Sequence, residues 1–410
     1  MYYNTIVVGS GPAGLFASAQ LAKYGIKILL VEKNQQLGKK LLVSGSGQCN
    51  FTHAGKIEDF LDKYGDNAKF VKRALFAYDN KKVLQFFREN GIQEEVMDNG
   101  KVFPKSKNSQ DIVDTLVNVN KMYGTTIKNN TKIINITYCD EMFSVITQNG
   151  ETFLCTNLII ATGGCSYPQL GTTGWGYEVA KIFGHKIIQP RPALTNIAIT
   201  DKSYKVLSGI SLENVQMTIM KNNKKLKDKY GTLLFTHKGL SGPLILDATR
   251  WIDAGDTLVL NILNKQYSEL EKQLETELSI NGKIQIVTYL RQFSVPKSFV
   301  DHMLTLLEIE PSLSCARVNK AQRKSLAKHL TMLVLTVENV GDIKTAMVTS
   351  GGVHTKELNP STFESKKVNN LYFIGEVVDV DGDTGGYNIQ MAFSMAYCCA
   401  TAIEQKIKKD

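Results

Sequence analysis

The first apolar residues of the chain fall in unbroken runs. Residues 5–8 and 26–31 carry almost no polar interruption, the pattern of strands buried on both faces of a parallel sheet. Residues 1–33 are therefore expected to form a strand–helix–strand unit. Helical spacing follows over 56–90, through Phe60, Leu61 and Tyr64 and then Val83, Leu84, Phe86 and Phe87. Another helix is predicted over 111–123, with Ser109 as its N-cap. Residues 131–137, 142–147 and 151–154 alternate instead, broken by Asp140-Glu141 and Asn149-Gly150, and predict a short antiparallel meander. An apolar run at 158–161 then ends in Thr162-Gly163-Gly164.

From about residue 190 the texture changes. Short strand-like runs at 194–200, 215–220, 231–235 and 257–262 suggest an inserted β-rich domain. Residues 266–331 read as helical, with Leu270, Leu274 and Leu278 four apart. Strand character returns at 333–337, 346–348 and 371–375, before a closing helix over 389–407. The expected organisation is a discontinuous α/β domain (1–190 with 333–410), a β-rich domain (191–262) and a small helical domain (263–332).

The first strand runs directly into Gly9-Ser10-Gly11-Pro12-Ala13-Gly14, and Glu32-Lys33 closes the second. This is a dinucleotide fingerprint in its proper setting. Gly9 allows the turn, Gly11 clears a path for a pyrophosphate, and Gly14 lets helix and strand approach. The helix N-terminus offers free N–H groups to the phosphates. Glu32 can accept from ribose hydroxyls and would repel a 2′-phosphate, which favours NAD or FAD over NADP.

Three further glycine sites refine this. Ala161-Thr162-Gly163-Gly164 resembles the segment that crosses the adenine end of FAD in two-dinucleotide-binding flavoproteins. Gly375-Glu376, after an apolar strand, resembles their second FAD motif, with a glutamate where aspartate is common. The stretch 379–388 opens the last helix with bare N–H groups at Gly385 and Gly386, suited to the flavin N1–C2=O2 edge. Its Asp-rich start resembles a calcium loop but lacks the closing glutamate, so no metal site is expected. The order of these sites argues for FAD.

Bulk properties add little. The 410 residues are 43% hydrophobic and 21% charged, with a net charge of +9. The lysines are scattered, and the densest run, 221–229, lacks interleaved aromatics. It reads as a solvated hairpin, and no nucleic-acid partner is expected. The seven cysteines form no CxxC pair, which suits a reducing cytoplasm. Only four residues precede the first strand, so no signal peptide is expected, and no apolar run reaches the roughly 18 residues of a membrane span. The oligomeric state is not legible.

Longer motifs now become recognisable. Gly38-Lys-Lys-Leu-Leu-Val-Ser-Gly-Ser-Gly-Gln-Cys-Asn50, Leu234-Phe-Thr-His-Lys-Gly-Leu-Ser-Gly-Pro243, Val348-Thr-Ser-Gly-Gly-Val353, Glu364-Ser-Lys366 and the run from Gly375 to Asn388 resemble the signatures of the YhiN/BaiN-like flavoproteins, the aminoacetone oxidase family. The resemblance implies an FAD-binding Rossmann-like (two-dinucleotide-binding-domain) fold with the two inserted domains. It also implies contacts to FAD from Lys40, Gly45, Ser46, Gly47, Gln48, Cys49, Gly352, Asp383, Tyr387, Asn388 and Ile389. Gln48 and Lys39 stand where arginine is usual, and Trp175 where aspartate is frequent.

Members of this group are linked to oxidation of small amines such as aminoacetone with O2, and to nicotinamide-dependent reduction of an enone. The first is the leading expectation for the small-molecule substrate. The second, fed by NAD(P)H, is an alternative, and an FAD-stabilised RNA-modification or assembly factor is another. Cys49 has no partner cysteine nearby, so dithiol chemistry is not expected. His237 is the candidate for proton handling, and Tyr387 a candidate beside the flavin. Ser350-Gly351-Gly352 is expected to bring backbone close to the isoalloxazine ring.

Overall fold

A computed structural model describes residues 1–409. The chain forms two compact units. One combines Met1–Arg191 with the C-terminal segment from Ile343, and the other is Pro192–Asp342.

The first unit is built on a mixed sheet. Parallel strands Thr126–Lys128, Ile28–Val31, Tyr2–Val8, Thr152–Ile160 and Leu371–Phe373 lie side by side in that order. Strand Thr152–Ile160 changes partner along its length. Its first half pairs antiparallel with Met142–Thr147, and its second half pairs parallel with Leu371–Phe373. The two strands expected at 151–154 and 158–161 are thus one. Its first half alternates in burial and its last four residues are all buried, which is why the sequence reads as two textures.

Helices Pro12–Ala22 and Tyr387–Ile407 pack on this sheet and on each other. Phe16 meets Phe393 edge-on at 5.2 Å. The helix expected over 111–123 spans Ser109–Met122, and its N-cap is Asn108, whose side chain accepts from the Gln110 amide at 3.0 Å. Ser109 instead donates its hydroxyl to the Leu42 carbonyl.

The second unit is a closed barrel. Strands Ile197–Ile199, Gly239–Ser241, Lys224–Thr236, Ser211–Lys221, Thr257–Asn261 and Leu333–Val340 follow one another around it, and the last pairs with the first. Helices Tyr267–Ile280, Lys297–Leu306 and Lys320–Thr331 share one apolar core with the barrel, so the β-rich and helical segments fold together. The boundary expected at 333 falls after Asp342. Strand Leu333–Val340 buries Leu333, Leu335 and Val337 on its inner face and is needed to close the barrel, since an open sheet would leave two unpaired edges.

Among the described residues, no helix is long and apolar enough to cross a membrane.

Candidate functional site

The glycine-rich segments of the first unit converge. At the N-terminal motif, a Cβ on Gly14 would lie 1.9 Å from the Gly9 carbonyl oxygen, and one on Gly9 would lie 2.5 Å from the Ala161 oxygen. These two glycines press the turn onto strand Thr152–Ile160. Gly11 is different, because a Cβ there would meet nothing within 4 Å. Helix Pro12–Ala22 begins beside it with proline in its first turn, no side-chain cap and no acidic residue in that turn, and Ala13 is buried behind it. Such a helix end presents N–H groups and partial positive charge to an anion.

Glu32 is 8% exposed. Its Oε2 accepts from the Ser10 amide at 2.9 Å and the Ser10 hydroxyl at 2.7 Å. Its Oε1 accepts from the Asn34 amide at 2.8 Å and side chain at 2.9 Å. A carboxylate offers about four acceptor positions, and here all are used. Glu32 thus first ties the GxGxxG turn to the end of the second strand, a role beyond the ribose contact expected of it. Lys33 donates to Thr173 Oγ1 at 3.1 Å, and burial lowers its pKa.

The second centre is Glu376. Lys40 Nζ donates to its two oxygens at 2.9 and 2.7 Å, Ser166 Oγ to Oε1 at 3.2 Å, and the Thr349 amide to Oε1 at 2.8 Å. Among the described residues, Oε2 thus has Lys40 as its single donor. Thr349 is fully buried, and its Oγ1 accepts from the Cys165 and Ser166 amides at 2.9 and 3.0 Å. A Cβ on Gly164 would lie 2.3 Å from that hydroxyl, while Gly163 comes within van der Waals reach of Thr172, and Gly375 of Ala13. The Thr162–Gly164 segment, Lys40 and Glu376 are therefore one cluster, drawn from three distant parts of the chain.

The third centre joins the 44–53 loop to the last helix. A Cβ on Gly386 would lie 2.4 Å from the Thr52 carbonyl oxygen. Gly45 and Ser46 both turn left-handed in the short helix Ser44–Gly47, followed by Gln48. Cys49 is buried, and burial pushes its thiol up to about 12, so it stays protonated and unreactive. Tyr387 is 5% exposed. Its ring stacks on His53 at 4.9 Å and meets Phe60 edge-on at 5.1 Å, and its carbonyl accepts from Tyr64 at 2.8 Å. Gly385 lies against that ring. Asn388 exchanges hydrogen bonds with Gly382 at 2.7 and 2.9 Å, which closes the Asp-rich loop, and the Asp383 amide donates to the Lys63 carbonyl at 2.9 Å. Ile389 is half-buried in the first helical turn.

Asp379 opens that loop. Burial, reinforced by the neighbouring Asp381 carboxylate, pushes its pKa up to about 6, while a hydrogen bond from the Gly351 amide acts in the other direction. A Cβ on Gly352 would lie 2.6 Å from the Val377 carbonyl oxygen. Close packing against protein backbone is by itself a reason for that glycine. In the second unit, His237 is exposed in the turn after strand Lys224–Thr236, and its Nδ1 lies 3.0 Å from Ser208 Oγ.

Sequence reasoning missed Asn34, Ser166, Thr349 and Asp379. Thr349 and Asp379 lie inside motifs that had been singled out for their glycines. Asn34 and Ser166 carry no local signal.

Fold and site together define a flavin-dependent oxidoreductase of the Rossmann type. The chain belongs to the family of the HI0933-like protein Rossmann domain, whose model matches residues 3–402. It is 34% identical over 99% of both chains to a Haemophilus influenzae protein named ribosomal RNA dihydrouridine synthase. It is 25% identical over 98% of both chains to the 3-dehydro-bile acid delta(4,6)-reductase of Clostridium scindens. Among solved structures, the 3-ketosteroid delta1-dehydrogenase of Sterolibacterium denitrificans shares the fold, with a TM-score of 0.51 at 12% identity over 99% of this chain and all of that one.

Proposed function

We propose that the protein binds FAD along these glycine loops and reduces the C5=C6 double bond of uridine in RNA, with NAD(P)H as electron donor. The observation that carries this reading is the end-to-end match, at 34% identity, to a protein named for dihydrouridine formation. The relative named as a delta(4,6)-reductase also acts on a carbon–carbon double bond. Oxidation of a small amine, the leading expectation from sequence, has no counterpart in either name. An RNA substrate replaces the expectation that nucleic acid is not a partner.

The residues present fit FAD. Gly11 leaves open space at an uncapped helix N-terminus, which suits the pyrophosphate. Glu376 Oε2 accepts from Lys40 alone among the described residues, which leaves an acceptor position for a ribityl hydroxyl. For Glu32 to accept from an adenosine ribose, a ribose hydroxyl must replace the Asn34 side-chain donor. Gly385 and Gly386 offer amides to the carbonyl edge of the ring. The cofactor supplies two-electron hydride chemistry.

The chain must then supply a proton to the carbon that does not receive hydride. Asp379 is our assignment for this group. A carboxyl raised to about 6 keeps a useful protonated fraction near neutrality. The Gly351 amide fixes its orientation, and Asp381 disfavours its ionised form. Lys40 and Ser166 hold Glu376 in place, and the Asn388–Gly382 pair fixes the loop that carries Asp379.

The test is anaerobic. The yellow holoprotein is reduced with NADH or NADPH and mixed with ribosomal RNA transcribed without modification. Reoxidation of the flavin, with the gain of two hydrogens on a uridine by nucleoside mass spectrometry, is the expected result. Anaerobic bleaching of the oxidised flavin by aminoacetone, with peroxide released once air is admitted and no dihydrouridine formed, would overturn it.

A further inference from the structure

The loop that carries Asp379 is held along one side by the segment Ile57–Asn67, a tightly wound helix whose Phe60 and Tyr64 are buried. Three hydrogen bonds join that segment to residues 379–387. Asn67 Nδ2 donates to the Asp379 carbonyl at 2.9 Å. The Asp383 amide donates to the Lys63 carbonyl at 2.9 Å, and the Tyr64 hydroxyl donates to the Tyr387 carbonyl at 2.8 Å. The loop is thereby fastened at its start, middle and end. The Tyr64 ring fills the space beside Gly382, where a Cβ would come within 3.0 Å of it.

Asn67 is the contact that bears on Asp379. It precedes helix Ala68–Ala77, a position where asparagine ordinarily turns back to cap its own helix. Here its side chain makes no cap bond, and its backbone (φ −91°, ψ 4°) is not the extended one that a capping residue adopts. Gly65 breaks the run before it with φ 52° and ψ −128°, a conformation open to glycine. Two residues on, the Asn67 amide meets Asp379. The side chain of Asn67 therefore serves the loop, and helix Ala68–Ala77 starts without a side-chain cap.

The backbone of Asp379 is gripped from two sides. Its amide donates to the Val353 carbonyl at 3.0 Å, at the end of strand Val348–Val353, while its carbonyl accepts from Asn67. Between these anchors its carboxylate accepts from the Gly351 amide. A carboxyl kept protonated by burial depends on staying buried. Three other titratable groups surround this place. Asp381 acts on Asp379 from its own loop, and the Tyr177 phenol lies within reach of its charge from helix Trp175–Ile182. On the clamping segment, Lys63 carries its ammonium 5.9 Å from the Tyr387 ring centroid. None of the three is altered by a change at Asn67 alone. Without the Asn67 bond the Asp379 carbonyl is left to water, and a loop that moves toward water takes the carboxyl with it.

We propose that Asn67 is a positioning residue for Asp379, holding the backbone of the proton donor against strand Val348–Val353 so that its carboxyl stays buried beside Gly351. The inference rests on the assignment of Asp379 in the reading above, and adds to it the residue that keeps the acid in place.

The full-length holoprotein is compared with N67S and D79A. Serine ends one bond short of Nδ2 and does not reach the Asp379 carbonyl, at little cost to a helix that Asn67 does not cap. Asp79 is a true cap, accepting from the Lys82 amide at 2.9 Å, so D79A lowers stability without removing a contact to the loop. The carboxyl of Asp379 is titrated by infrared difference spectroscopy, its band assigned with D379N, and the single-turnover rate of uridine reduction is followed over the same pH range. In N67S the midpoint should fall from about 6 toward the ordinary 3.8. Each unit of that fall lowers the protonated fraction at neutral pH about ten-fold, and the rate should follow it. D79A should keep the wild-type midpoint, and flavin reduction by NAD(P)H should be unchanged in both variants. A wild-type midpoint in N67S would overturn the proposal whatever its rate, and so would an equal fall in D79A. If wild type forms no dihydrouridine, the RNA reading falls by itself. The carboxyl titration then still decides the positioning role, upheld by a lowered midpoint in N67S and overturned by an unmoved one.

Discussion

The two carboxylates at the ends of the glycine-rich site make an instructive pair. Glu32 and Glu376 each stand at the end of a buried parallel strand and each receive four hydrogen bonds, yet those bonds are distributed differently. Glu32 spends all four acceptor positions inside the protein on Ser10 and Asn34, while the glycine near it, Gly11, faces open space. Glu376 takes three of its four hydrogen bonds on Oε1 and one, from Lys40, on Oε2, which leaves an acceptor position on Oε2, while the glycine near it, Gly164, is pressed against Thr349. In the first half of the site the backbone is left for a ligand and the side chain is structural. In the second half the backbone is structural and the side chain is left. A glycine motif alone does not reveal which of these it encodes.

The sharpest way to break this comparison is a pair of substitutions three residues apart. Gly14→Ala places a methyl 1.9 Å from a carbonyl oxygen and should cost about 4 kcal/mol or more, enough to prevent folding of the first unit. Gly11→Ala meets no protein atom and adopts an ordinary helix-cap geometry, so stability without cofactor should stay within about 0.5 kcal/mol. Bound FAD should nevertheless be lost from it. Thermal unfolding and the flavin absorbance of the purified variants decide both. A Gly11→Ala protein that keeps its flavin would sink the assignment of that gap to the pyrophosphate.

The second unit should fail first in acid. Burial lowers His329 to about 4, and the neighbouring His302 disfavours its protonation further. Tyr204 OH lies 3.1 Å from His329 Nε2. Because the folded pKa lies below the unfolded value of about 6.5, the unfolded chain takes up the proton first as pH falls. Stability present above 6.5 is therefore lost on the way down to about 4, by on the order of 3 kcal/mol. His329→Gln can keep a hydrogen bond to Tyr204 without the titration, and should flatten the acid limb of barrel unfolding seen by hydrogen exchange.

Glu376→Gln is the next effect in size. The pair with Lys40 is about one-fifth exposed on each side, so its loss should cost about 1–2 kcal/mol, less than a fully buried pair. The same change should speed FAD release, read as the rate of flavin fluorescence recovery on dilution. Unchanged release would mean that Glu376 is structural, as Glu32 largely is.

Legibility followed sequence distance. The turn at Gly9–Gly14 was readable because strand, turn and helix are contiguous and each glycine has a local reason. The barrel was not, because Leu333–Val340 has the same alternation whether it returns to the first sheet or closes on Ile197–Ile199. Only the need to cover two strand edges separates those outcomes, and that is a property of the whole unit. The same limit hid Ser166 and Thr349 from Glu376. Glu32 was found for its motif position, but its saturation by Asn34 could not be read, since two acceptable partners compete for one carboxylate.

Asp379 gives the smallest effect and the finest test, because it opposes the acid behaviour of His329. Its folded pKa, about 6, lies above the ordinary value of 3.8. The folded protein therefore binds this proton more tightly than the unfolded chain does. The cost of holding Asp379 ionised is absent below 3.8, grows as pH rises to about 6, and is fully present above that. Asp379→Asn should remove this slope and leave the first unit as stable or slightly more stable at neutral pH. If Asp379 also delivers the proton to carbon, the single-turnover rate of uridine reduction in wild type should fall as pH rises through about 6, and Asp379→Asn should abolish that dependence together with most of the rate. Flavin reduction by NAD(P)H needs no such proton and should persist. A variant that loses the stability slope but keeps the wild-type rate profile would mark Asp379 as a strained structural acid, and would leave Glu376 as the sole carboxylate of that half acting on a ligand.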